Sequence, residues 1–103
     1  MNFLSLSRKE RVLMKFDKRK GKDIQFMGGG KKLSMAPIEN GDEAKLFHNG
    51  RLIIARITSI KQDQFTGVII NSPYAPSQYP EFAVGKEIAF LEEDISIISK
   101  AGR

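Results

Sequence analysis

Three groups of residues in this chain could do chemistry: one histidine, one run of acids, and a dense set of lysines and arginines. His48 stands beside Asn49-Gly50, a pair that favours a tight turn, and a lone histidine at a turn reads as a surface residue. The sequence has no second histidine and no cysteine, so a zinc site of the usual kind cannot be assembled. Glu92, Glu93 and Asp94 are consecutive. On a strand they point to alternating faces, so they read as a solvated turn and not as paired carboxylates. Gly28-Gly29-Gly30-Lys31-Lys32 lacks the spacing of a phosphate-binding loop and reads as a flexible joint. No catalytic residue, metal ligand or cofactor motif is expected, and the chain reads as a non-enzymatic binding module.

The cations are the remaining chemistry. The first 35 residues hold ten Lys and Arg against three acids, a net +7, whereas the other 68 hold seven against nine, a net −2. Lys15, Lys18, Arg19, Lys20 and Lys22 form the densest cluster, followed by Lys31 and Lys32. Such a set can neutralise several phosphates with a salt-dependent, sequence-tolerant affinity. The same charge could equally solubilise the surface, or dock on acids of the same domain or of a partner. A second candidate surface is the stretch from Ser72 to Phe82, with Pro73, Tyr74, Pro76, Tyr79, Pro80 and Phe82. Its prolines stiffen it and its tyrosines offer flat amphipathic area of the kind protein interfaces use. Alternatively, Tyr74 or Tyr79 folds back to plug the end of a small core.

The elements that must position these residues are short. A chain of 103 residues, 41% apolar and 28% charged, suits one small globular domain. Without cysteine it must stand on packing alone. No apolar run approaches the roughly 18 residues needed to span a bilayer. The apolar start, Met1 to Leu6, is short for a signal segment, so the expectation is a soluble cytoplasmic protein with no membrane partner.

Character changes near residues 35–41, which divides a basic extension, 1–35, from a domain, 36–103. In the extension, Ser7 and Glu10 suit a capping box for a helix over residues 8–20. Val12, Leu13 and Phe16 lie on one stripe of that helix, and Gly21 stops it. Asp23 to Met27 alternates like an extra strand. In the domain, strands are predicted at 44–48, 51–61, 65–71, 87–91 and 95–98. Asn49-Gly50 supplies a two-residue hairpin turn between the first two. The three prolines of 72–84 keep that stretch out of a sheet interior. The second strand is apolar on both faces, which implies either a bulge near Thr58 or an outer face covered by the basic extension. Together these features predict a mainly β fold: a small, five-stranded antiparallel barrel with a basic, partly helical extension.

Gly41-Asp42-Glu43-Ala44-Lys45-Leu46, Leu52 to Ile57, Phe65-Thr66-Gly67-Val68-Ile69 and Gly85 to Phe90, closing at Asp94-Ile95, resemble the pattern of Tudor-like and related bacterial small-barrel domains. The resemblance covers residues 41–98 and implies a small barrel. Its ligand site would be an aromatic cage. This chain has no Trp, and Phe47, Tyr74, Tyr79 and Phe82 are the aromatics available to it. Two partner classes follow from the sequence. One is nucleic acid held by the basic segment; the other is a protein held by the loop 72–82 or by a barrel edge.

Overall fold

The computed structural model describes residues 16–101, and all seven of its strands join one sheet. In chain order they are β1 (Gln25–Gly28), β2 (Lys31–Leu33), β3 (Glu43–His48), β4 (Arg51–Lys61), β5 (Gln64–Asn71), β6 (Glu87–Leu91) and β7 (Ile95–Ser99). Short 3-10 turns at Pro80–Phe82 and Glu92–Asp94 precede β6 and β7 respectively.

The expected closed five-stranded barrel does not form. The sheet is open and mixed, in the order β2-β1-β7-β3-β4-β5-β6. The cause lies at β7. One of its sides pairs antiparallel with β3, and the other is taken by β1 in parallel, with Gln25 opposite Ile97 and Met27 opposite Ser99. With both sides of β7 occupied, β6 cannot close against it and is an edge among the described strands. The glycines read as a flexible joint are instead a hairpin turn. Gly29 and Gly30 have φ of 59° and 79°, the sign a two-residue turn of this hand requires. That hairpin brings β2 back along β1 and carries Lys31 and Lys32 with it.

The helical extension is also corrected where it can be seen: residues 16–20 carry no helix. The remainder of the expected helix, 8–15, lies outside the described residues. Phe16 is nevertheless core, 6% exposed, with its ring 5.8 Å from that of Phe82 and 6.5 Å from that of Phe90. It anchors the chain that leads into β1.

One face of the sheet carries the core. Ala44 and Leu46 of β3, Ile53, Ala55 and Ile57 of β4, Phe65 and Ile69 of β5, and Ile98 of β7 are all buried there. Each large side chain of this kind contributes about 1.5–3 kcal/mol on burial. A bulge accounts for part of the two-sided pattern of β4, while Leu52 remains exposed on the outer face. Register shifts between Ile57 and Ser59, so Ile60 falls opposite Phe65. Ile60 thereby packs against the core that Ile57 began on the opposite parity. Gly67 meets this bulged strand closely, since a Cβ there would stand 2.8 Å from the Arg56 carbonyl oxygen.

Two buried aspartates brace the corners. Asp42 accepts hydrogen bonds from the amides of Glu39 (2.9 Å) and Ala101 (3.0 Å) and from the Lys100 ammonium (2.5 Å). Lys100 also donates to the Pro37 carbonyl and to Glu39 (3.1 Å). Burial alone would raise the Asp42 pKa, but the donors from Ala101, Lys100 and Glu39 outweigh it and hold it below the ordinary value. Burial would likewise lower Lys100, yet its bonds to Asp42 and Glu39 win and raise it. At the other corner, Asp94 accepts from the Leu91 amide (2.9 Å) and from Lys18 (2.9 Å).

Candidate nucleic-acid interface

The predicted basic residues divide into two groups once their surroundings are known. The chain from Phe16 to Ile24 runs as a strap from the core to β1, and its first cations are used to hold it down. The amide of Asp17 donates to the Phe47 carbonyl (2.7 Å). The Asp17 carboxylate accepts from the amides of Asn49 (3.1 Å) and Gly50 (2.8 Å). It thus satisfies the exposed donors of the turn that links β3 to β4, where Asn49 has a φ of 51°. Arg19 is the clasp. Its guanidinium donates to the carbonyls of Glu92 (2.8 Å), Ile95 (2.9 Å) and Lys22 (3.0 Å), and its amide donates to the Glu93 carbonyl (2.9 Å). With 12% of its side chain exposed, it is a fold residue. Lys18 pairs with Glu93 (2.8 Å) and Asp94 (2.9 Å), and those bonds raise its pKa.

The second group is different. Lys20, Lys22, Lys31 and Lys32 are exposed, and among the described residues none of the four forms an ion pair. All four sit on the strap or hairpin at the β2-β1 edge of the sheet. Lys32 lies opposite Met27, on the outer face. Lys20 borders an open groove of about 470 Å³ on that same face, lined also by Gln25, Phe47, Ser96 and Ile97. Lys15 lies outside the described residues.

The aromatic side chains of the proline-tyrosine loop turn toward the core, while Pro73, Pro76 and Pro80 are exposed. Tyr74 is 8% exposed and Phe82 2%, so neither offers the contact surface expected of it, and Tyr79 is half-buried. They close one end of the core around His48, whose ring lies 4.7 Å from Phe82 and 5.6 Å from each tyrosine. The Tyr74 hydroxyl donates to the His48 carbonyl (2.9 Å) and lies 2.9 Å from His48 Nδ1. A hydroxyl has one proton, so when it goes to the carbonyl, Nδ1–H is the donor in the second contact. Burial raises the Tyr74 pKa. Phe47 points away from this cluster into the outer groove, so the four aromatics that a cage would need do not converge.

Sequence reasoning missed the groove and the Asp42–Lys100 pair. Phe47 could have been placed on the outer face by strand alternation from Leu46, but its neighbours there come from β1 and β7. Among the described residues no cluster of three or more His, Asp or Glu side chains is placed to hold a metal ion, and no helix is long and apolar enough to cross a membrane.

No family model matches this chain, and no solved structure does. The chain is 30% identical over 84 residues to the tryptophan--tRNA ligase of Prochlorococcus marinus, a match that covers 76% of this chain and 25% of that protein. The chain thus spans about a quarter of the length of the curated relative it matches.

Proposed function

We propose that this chain is a non-enzymatic nucleic-acid-binding module that works in the cytoplasm and grips phosphates along the β2-β1 edge of its sheet. The observation that carries the reading is the division among its cations. Lys18 and Arg19 are consumed by the acids and carbonyls of the 92–95 corner, while Lys20, Lys22, Lys31 and Lys32 remain exposed on one edge. A binding role also fits how the histidine and the acids are engaged. His48 is engaged with Tyr74 inside an aromatic cluster, and Glu92 and Glu93 pair with Arg19 and Lys18. The tRNA ligase covers too different a length to lend its chemistry to this chain.

Four lysines that each neutralise a phosphate give a characteristic salt response. Affinity for a short oligonucleotide should fall roughly a hundredfold between about 50 and 200 mM salt. Fluorescence anisotropy on wild type, Lys20→Glu/Lys22→Glu and Lys31→Glu/Lys32→Glu checks this. Each double variant should bind at least about tenfold more weakly at low salt, whereas Lys61→Glu, at the end of β4, should bind as wild type does. Absence of binding at low salt would remove the reading. It would turn attention to a protein partner at β2 or β6, the two edges of the described sheet.

A further inference from the structure

Phosphate binding alone has no use for an apolar floor, yet the groove beside the exposed lysines has one. Its volume, about 470 Å³, falls within the roughly 300–1,000 Å³ of small-ligand sites. Phe47 of β3 and Ile97 of β7 supply apolar area, and Lys20, Asp23, Gln25 and Ser96 supply charge and hydrogen-bonding capacity. Ile97 is opposite Gln25 on one side and Lys45 on the other, so this floor belongs to the outer face, away from the core. The facing wall is the strap. Asp17 pins it to the Asn49-Gly50 turn and Arg19 pins it to the 92–95 corner, which makes the groove a preformed feature of the fold.

We propose that this groove receives one unpaired base of single-stranded RNA, stacked on Phe47, with the flanking phosphates on Lys20 and Lys22. The ribose 2′-hydroxyl donates to the Asp23 carboxylate. The inference rests on the nucleic-acid reading above and narrows it to one partner. A duplex presents phosphates but keeps its base faces stacked, so an aromatic floor contributes only when the base is free. Asp23 at the rim decides between the two kinds of single strand. A carboxylate repels phosphate and accepts a hydrogen bond from a hydroxyl, and only RNA carries that hydroxyl.

The test uses the full chain and three labelled probes of about ten nucleotides: an oligouridylate, an oligothymidylate and an RNA duplex, each titrated by fluorescence anisotropy at low salt. Wild type should bind the oligouridylate most tightly. Phe47→Ala should weaken oligouridylate binding about tenfold and leave duplex binding unchanged. Phe47→Leu, which keeps an apolar side chain on β3 while removing the ring, should repeat that pattern, with thermal melting confirming that it is folded. Asp23→Ala should erase the preference for oligouridylate over oligothymidylate. Equal affinity for all three probes would overturn the base site and leave the phosphate-binding edge standing, as would wild-type oligouridylate binding by Phe47→Leu. If no probe binds, the nucleic-acid reading itself falls.

Discussion

Asp42 and Asp94 do the same local job. Each is about 2% exposed at its side chain, and each accepts the amide of the residue three positions upstream, Glu39 and Leu91, at 2.9 Å. Their cationic partners are opposite in kind. Lys100 is 2% exposed at its side chain, whereas Lys18 is 59% exposed. The lesson concerns what replaces a partner once it is lost. Around Lys100 nothing can, because water is excluded from both charges. Around Lys18 water is already present and can hydrate the carboxylate left behind.

The contrast is broken most severely at Lys100. Lys100→Met removes the ammonium and leaves Asp42 buried with two amide donors but no counter-charge, which should cost about 3–5 kcal/mol, read as a lower midpoint in urea unfolding. The acid limb of stability should report the same pair. Asp42 has its folded pKa below the ordinary 3.8, so its contribution is complete above that value and fades as pH falls from there through the folded value. Lys100 has its folded pKa above the ordinary 10.5, so its contribution is complete below that value and fades as pH rises through the folded one. Lys100→Met should therefore flatten the acid limb of a stability–pH profile relative to wild type.

Arg19 lies between the two extremes and sharpens the comparison. It is on the same strap as Lys18, but its side chain is largely covered and its donors meet backbone carbonyls. Arg19→Ala should cost about 1.5–3 kcal/mol, the scale of charged hydrogen bonds to partly buried groups. Hydrogen exchange should quicken at residues 92–95, where the Arg19 guanidinium holds the Glu92 and Ile95 carbonyls. Equal protection in variant and wild type would show that the corner stands without the strap.

How much of this could be read beforehand differs by element. Strands β3 to β7 fall within a residue of their sequence positions, because β-branched alternation and the Asn49-Gly50 turn are local signals. The bulge at Thr58 was legible as one of two solutions to a strand apolar on both faces. The closed barrel was not a safe inference, because closure is decided by what pairs with β7, and the partner that does, β1, lies some seventy residues upstream. Nothing local marks Gln25–Gly28 as a parallel partner. The three glycines were equally ambiguous, since a hinge and a two-residue turn ask for the same residue. At the candidate site, the cluster of cations was visible but its division was not. Whether Arg19 faces solvent or the Glu92 carbonyl is set by contacts more than seventy positions apart.

The mildest expected effect is at Lys18. Lys18→Met removes two ion pairs, to Glu93 at 2.8 Å and Asp94 at 2.9 Å, and a count of contacts would rank it with Lys100→Met. Solvent reverses that ranking. Lys18 and Glu93 are both more than half exposed, so the Coulomb gain is screened and two long side chains lose freedom to make it. Asp94 keeps the Leu91 amide and gains water where the ammonium was. The variant should lose no more than about 1 kcal/mol, and that loss should shrink as salt is raised, whereas the Lys100→Met loss should not. A salt-independent loss at Lys18 comparable to that at Lys100 would mean that Asp94 depends on its ammonium as Asp42 does, and that both corners are closed by the same kind of buried pair.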